Sequence, residues 1–91
     1  MGLQMNNREM ALGRLVMLRK ELYQIGTRAM TFVKEIQDEV NAFAFTEDDF
    51  TTIDFKKVKT LSEEIMKLQK EYQIRIKEAD SIKTTYNFEE E

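Results

Sequence analysis

Apolar residues in the first half of the chain recur at alternating spacings of three and four residues. Such spacing places all of them on one face of an α-helix, as at the a and d positions of a coiled-coil seam. The series then continues through Val40 and Phe43 after one extra step of four, a local stutter. We predict a first long helix over about residues 6–43. Its seam consists of Leu15, Leu18, Leu22, Ile25, Ala29, Phe32 and Ile36.

The second half of the chain repeats this pattern from Val58 to Tyr86, with Arg75 as the one polar interruption. We predict a second long helix over about residues 51–86, followed by an acidic tail over residues 87–91. Two pairs at i,i+4, Glu63–Lys67 and Glu71–Arg75, are expected to stabilise its outer face by about a few tenths of a kcal/mol each. Its seam consists of Val58, Leu61, Ile65, Leu68, Tyr72, Ala79, Ile82 and Tyr86.

The segment FTEDDFTTIDF, residues 45–55, contains the phrase Phe-Thr-x-x-Asp-Phe twice. Each copy matches a helix start, because threonine at the N-cap and an acidic residue at N3 form a capping box and the flanking apolar pair forms a hydrophobic staple. We predict that Thr51 caps the second helix, with Asp54 at N3 and Phe50 and Phe55 as the staple. A start at Thr46 is the alternative. Residues 44–50 then form the tip between the helices.

Two helices of nearly equal length, about 57 and 54 Å at 1.5 Å per residue, joined by a short tip fold back on each other. The predicted fold is therefore all-α, a long antiparallel helical hairpin that forms a single domain over residues 1–91. The tip brings together four aromatic residues: Phe43, Phe45, Phe50 and Phe55.

Closing this hairpin between Phe43 and Thr51 fixes the register of the two helices. The numbers of two residues that face each other then sum to about 94–97. The register places Ala79 near Leu15 and Arg75 near Glu21, whose carboxylate is a partner for the off-pattern cation. Large residues then face small ones at two layers, Leu68 opposite Gly26 and Ile65 opposite Ala29. The same register places Ile82 near Leu12 and Val58 near Ile36. Gly26 is either a tolerated surface glycine or a point where another backbone approaches closely.

The apolar surface of the hairpin is wider than its single seam. Leu12, Val33 and Val40 widen the stripe on the first helix, and further apolar residues fall off both seams. Exposed apolar surface of this extent is stabilised when a partner buries it. We therefore expect a homodimer that packs as a four-helix bundle. The predicted surface for self-association or for a protein partner comprises Leu12, Met17, Tyr23, Met30, Val33, Val40, Met66 and Ile74.

The residue types argue against catalysis. With no histidine and no cysteine, the chain lacks an ordinary triad, a thiolate nucleophile and a conventional zinc site. It also lacks a glycine-rich phosphate loop. The carboxylates near the tip could hold a hard cation, but they lack the spacing and the glycine of a calcium loop. We predict a non-enzymatic protein with no catalytic residue, no cofactor and no metal.

Charge is unevenly distributed along the chain, although the net charge is only −3. Residues 1–34 carry six basic and two acidic side chains, residues 35–55 carry seven acidic and no basic ones, and residues 56–88 carry eight basic and five acidic ones. The basic arms suggest an alternative function, a nucleic-acid- or nucleotide-binding regulator. We favour a self-associating interaction module acting as a scaffold, adaptor or inhibitor. No apolar run approaches the roughly 20 residues of a membrane span. The absence of cysteine is compatible with a reducing cytosol, and a cytoplasmic location is expected.

Overall fold

The protein is an elongated hairpin built from two long helices. A computed structural model describes residues 7–41 and 47–88. Helix α1 spans Asn7–Asn41, the six-residue helix α2 spans Glu47–Thr52, and α3 spans Phe55–Tyr86. Helices α1 and α3 pack against each other, and the molecule measures 70 × 27 × 19 Å. The predicted all-α helical hairpin is confirmed.

Of the seven buried residues among the described ones, six lie on the predicted seams. Leu18 is completely buried, and it clusters with Leu15 and Ala79. Ala11 is also buried, although no seam was assigned to it from the sequence; it lies four residues before Leu15 and extends the same series. The core is thin, because a single layer of helix-on-helix contact forms it. Its buried members among the described residues are Ala11, Leu15, Leu18, Ile25, Leu61, Leu68 and Ala79.

The observed register agrees with the predicted one. The Nε atom of Arg75 donates a hydrogen bond of 2.8 Å to Oε1 of Glu21, as the facing numbers require. Near the middle of the hairpin, Gly26 and Leu68 line one groove. The pairings of Leu12 with Ile82 and of Ile36 with Val58 stay predictions.

Asp54, not Thr51, caps the second long helix, so the predicted cap is wrong. Thr51 lies inside α2, and the Asp54 side chain accepts a hydrogen bond of 3.0 Å from the backbone N–H of Lys57. Asp54 is also the better capping residue by type. Its own backbone N–H donates to Oε2 of Glu39 at 3.1 Å, so α1 supplies the second carboxylate of the capping box. The predicted box instead took both groups from the tip segment itself.

The tip is partly described. The rings of Phe50 and Phe55 meet edge to face with centroids 5.8 Å apart, so the predicted staple pair is in contact although the cap has moved. Helix α2 begins at Glu47, the position expected from the alternative start at Thr46, but it ends after six residues. Thr46, Phe43 and Phe45 lie outside the described residues.

Replacing Asp54 by alanine should destabilise the hairpin by about 0.5–2 kcal/mol, because the first turn of α3 loses its side-chain acceptor. Thr51→Ala is the matched control and should cost less. Denaturant unfolding of the two variants measures both losses. A larger loss for Thr51→Ala would show that the helix starts at the residue predicted from the sequence.

At its other end α3 closes on Asn87 and Phe88, although residues 87–91 were predicted to form an acidic tail. Asn87 adopts the left-handed conformation with φ 55°, which asparagine tolerates better than most residues. The Phe88 N–H then donates to the Lys83 carbonyl at 2.9 Å, and the Phe88 ring packs against the cluster around Leu18. An aromatic residue thus covers the open end of the seam.

Of the two ion pairs predicted within α3, one is present as expected. The Nη1 atom of Arg75 lies 3.9 Å from the carboxylate oxygen Oε1 of Glu71. Lys67 lies 3.6 Å from Glu64, three residues away, and not beside Glu63 as predicted. Both spacings bring side chains together on a helix surface, so the outer face keeps its pairing with a different acidic partner.

Candidate interaction surface

The two sides of the hairpin, left and right of the seam, differ in chemistry. Residues of an α-helix advance by about 100° each, so Arg14 and Glu21 fall on one side of the α1 seam while Arg19 and Gly26 fall on the other. We call the first the network side, defined by Arg14, Glu21, Arg75 and Glu78. We call the second the groove side, defined by Arg19, Tyr23, Gly26, Met30 and Tyr72.

On the network side, charged residues cross-link the helices. Arg14 donates two hydrogen bonds to Glu78 on α3, of 2.6 Å from Nε and 3.0 Å from a terminal nitrogen, and a third of 3.0 Å to Glu21. Glu21 in turn accepts from Arg75 on α3, which also donates to the Glu71 carbonyl at 3.1 Å. The fork-shaped contact between Arg14 and Glu78 is directional, so this network holds α1 and α3 in register and closes their network side.

The network perturbs its carboxylates. The hydrogen bond from Arg75 holds the pKa of Glu21 below its ordinary value, and the hydrogen bond from Arg14 does the same for the pKa of Glu78. The same contacts, first of all the one with Glu78, raise the pKa of Arg14. All of these side chains are partly exposed, so water weakens each pair. The network therefore specifies register more than it adds stability.

The depressed pKa values of Glu21 and Glu78 predict a pH dependence of folding. A carboxylate with a lower pKa in the folded state stabilises the fold above its unfolded pKa, and this contribution disappears as pH falls through the folded pKa. Stability should therefore decline as pH falls below the ordinary value of 4.5. The free energy of unfolding, measured from pH 7 to pH 2, should decline less steeply in Glu21→Gln than in the unmodified chain. Glu64→Gln, which removes an ion pair within α3 alone, is the control. If it reduced the pH dependence of the unfolding free energy as much as Glu21→Gln does, the network would not be the source of that dependence.

On the groove side, small residues leave a furrow between and along the helices. Gly26 and Tyr72 line both a groove between α1 and α3 and a second groove along the flank of α1, so the two grooves adjoin at these residues. The other lining residues are mainly apolar. They are Ile25, Ala29, Ile65, Leu68, Gln69 and Gln73 in the first groove, and Arg19, Leu22, Tyr23, Thr27 and Met30 in the second.

Gly26 has no steric role inside the hairpin. A Cβ atom built there meets nothing within 4 Å, so no backbone within residues 7–41 and 47–88 approaches it closely. Glycine in a helix interior is about 1 kcal/mol less favourable than alanine. The described hairpin therefore gives no reason for glycine at the floor of its apolar groove.

The structure brings together some of the residues predicted for association and separates others. Leu12, Tyr23, Met30, Val33 and Val40 fall on the groove side of α1, within about 60° of Gly26 around the helix axis. Tyr23 and Met30 are 76% and 62% exposed, and Leu12 and Val40 are also exposed.

Three predicted residues lie on α3 or on another side of α1. Met66 lies within about 60° of Gln69 and borders the groove, whereas Ile74 lies about 140° from Gln69. Met17 lies about 140° from Met30, towards the network side. All three are exposed. The eight residues therefore do not form one patch. Those on the groove side of α1 lie together with Met66, and Met17 and Ile74 lie apart from them.

The open end of the groove side is basic and aromatic. Arg8, Arg19 and Lys83 line a pocket whose apolar wall includes Leu12 and Phe88. The Arg8 guanidinium lies 4.5 Å from the centroid of the Phe88 ring and donates to the Tyr86 carbonyl at 2.8 Å. This end of the hairpin thus presents positive charge beside apolar surface. The basic character of the arms was predictable from the sequence, whereas the packing of Phe88 into this pocket was not.

The chain matches no protein-family model, and no curated protein or solved structure is significantly similar to it. None of the helices within residues 7–41 and 47–88 contains an apolar stretch of the length and hydropathy that a membrane span requires. In the same part of the chain, no group of three or more acidic side chains is placed to hold a metal ion.

Proposed function

We propose that the protein is a non-enzymatic helical interaction module that self-associates, two hairpins packing as a four-helix bundle that serves as a scaffold, adaptor or inhibitor. The observation that supports this proposal is the groove side. Its apolar side chains are exposed on a chain whose own core is one thin seam. Exposed large apolar residues arranged as a continuous patch are typical of interaction sites.

The energetics favour covering this side. Removing apolar surface from water contributes about 25 cal/mol per Å², so burying a few hundred Å² contributes several kcal/mol. Such a gain is comparable to the whole stability of a small domain. The hairpin is 70 Å long and at least 19 Å across, so a face along its length offers room for the roughly 800 Å² per partner that a standard interface buries.

Self-association predicts that stability depends on concentration. Because a dimer is favoured by mass action, its melting temperature should rise with protein concentration. Thermal unfolding followed by circular dichroism over a hundredfold concentration range, about 1 to 100 µM, tests this. A melting temperature that stays constant over this range would contradict dimerisation.

The basic side chains support the nucleic-acid alternative less well. Arg14, Arg75, Lys57 and Lys67 each lie within ion-pair distance of a glutamate of the same chain, so part of the positive charge on the arms is already neutralised. Binding to a polyanion through the remaining cations would weaken steeply with salt. Retention on immobilised DNA or RNA that falls in this way would favour the alternative.

A further inference from the structure

We propose that two copies pair α1 against α1 in antiparallel order, across a two-fold axis that passes beside Gly26. This inference rests on the proposed self-association and adds to it the axis, the direction and the contacts. The partner is a second copy of this chain, and the docking surface is the groove side of α1.

The groove side of α1 is nearly palindromic about Gly26. Leu12 lies fourteen residues before Gly26 and Val40 fourteen residues after it. Tyr23 lies three residues before it and Met30 four residues after it. In an interface with two-fold symmetry, a residue that contacts a second residue of the mate is matched by the reverse contact. An antiparallel pair centred on Gly26 therefore places Leu12 opposite Val40 and Tyr23 opposite Met30, twice each.

The remaining position of the palindrome is also compatible with pairing. Arg19 and Val33 lie seven residues on either side of Gly26. The aliphatic stem of an arginine can cover an apolar neighbour while its guanidinium stays in water. Val33 would thus be covered by the mate's Arg19, and no charge needs to be buried.

At the axis itself, glycine has a role that the single hairpin does not provide. The space above Gly26 is open in the chain by itself, and the residue lies near the middle of α1. Absence of a side chain lets two helix backbones approach closely. The two copies of Gly26 would lie next to each other at the two-fold axis, where the two α1 helices come closest. This close approach explains why a glycine lines the groove.

The second helix agrees with the same axis. Gln69 and Gly26 line the same groove, so the axis passes over Gln69 on α3. Met66 and Tyr72 lie three residues on either side of Gln69, and both are exposed. Antiparallel stacking of the two hairpins therefore brings Met66 of α3 opposite Tyr72 of the mate.

Charge at the two ends selects the antiparallel direction. The open end of the groove side carries Arg8, Arg19 and Lys83 around one pocket. The tip-side end of α1, residues 35–41, carries three acidic side chains and no basic one, Glu35, Asp38 and Glu39. Antiparallel pairing of α1 with α1 brings this acidic end of each helix to the basic end of the other, whereas parallel pairing would bring like charges together. Complementary charge of this kind fixes orientation.

Disulfide crosslinking tests the direction of pairing. The chain has no cysteine, so introduced cysteines react only with each other. In the double variant Leu12→Cys/Val40→Cys the two positions are about 42 Å apart along one helix and cannot join within a chain. Under mild oxidation the double variant should form a covalent dimer, while Leu12→Cys alone and Val40→Cys alone should not.

The possible outcomes separate this inference from the proposed function. Efficient linking of either single variant would mean parallel pairing and would overturn the inference while self-association stands. A dimer in sedimentation with no linked variant would place the interface on another side and would also overturn it. A monomer at every concentration would contradict self-association as well.

Substitution at the axis is a second test. Gly26→Leu should weaken dimerisation about tenfold or more, because a side chain at the closest approach separates the helices. Gly13→Leu is the matched control: Gly13 is equally open but lies about 140° from Gly26 around α1. Gly13→Leu should leave the dimer dissociation constant unchanged. Equal effects of the two substitutions, or no effect at Gly26, would rule out an axis beside Gly26.

Discussion

Replacing Leu18 by alanine is expected to destabilise the hairpin by about 2–5 kcal/mol. Leu18 is the one described side chain that is fully buried, and it joins Leu15 to Ala79 across the seam. Truncation removes its apolar contacts and leaves a cavity between α1 and α3, the only long helices that pack against each other in the described part of the chain. Stabilities of small domains are about 5–15 kcal/mol, so this variant should lose a large part of its folded population. Denaturant unfolding at one low protein concentration measures the loss.

Leu12→Ala is the control for Leu18→Ala. Leu12 is on the same helix but nearly half exposed, so its truncation should cost the isolated hairpin much less. Comparable losses for the two variants would mean that the seam does not carry the stability of the fold.

Placing a charge on the groove side should abolish self-association without unfolding the hairpin. In Met30→Glu a carboxylate replaces an apolar side chain that is 62% exposed in the single chain and that the proposed dimer covers. An unpaired charge buried in an interface costs about 3 kcal/mol or more, which corresponds to a dissociation constant weakened by about a hundredfold. Sedimentation velocity and circular dichroism report association and helix content separately.

Met17→Glu is a closely matched control. Met17 is on the same helix and 51% exposed, but it lies towards the network side. It should leave the dimer intact. Because both methionines were predicted from the sequence to belong to the association surface, the two variants decide whether that surface is the groove side alone. Dissociation by Met17→Glu with a stable dimer in Met30→Glu would move the interface to the network side.

The seam and the register followed from the sequence because they depend on spacing alone. Alternating steps of three and four predict which face of each helix is buried, and a short tip determines which residues face each other. The contact of Arg75 with Glu21 was therefore predictable. The cap of α3 was not, because Thr51 and Asp54 both satisfy local capping rules. The choice depends on Glu39, a residue of α1 that accepts the Asp54 N–H only once the hairpin has formed.

The candidate surface was only partly predictable for a similar reason. Periodicity identifies residues that lie off the seam, but it does not say which side of the hairpin other groups close. Arg14 and Glu78 cross-link the helices on one side, and this leaves the side with Tyr23 and Met30 open. The groove-side residues of α1 are spaced nearly symmetrically about Gly26. This symmetry is not visible in the full predicted set, because that set also contains Met17 and Ile74, which lie on other sides. Phe88 escaped prediction because the acidic residues after it suggested a solvated tail.

Sedimentation equilibrium of the unmodified chain tests self-association most directly. At micromolar concentrations we expect a species of twice the 10.8 kDa chain mass, dissociating on dilution and retaining helical hairpins. A folded, stable species of 10.8 kDa at every concentration would contradict self-association and would leave the groove side to a different protein.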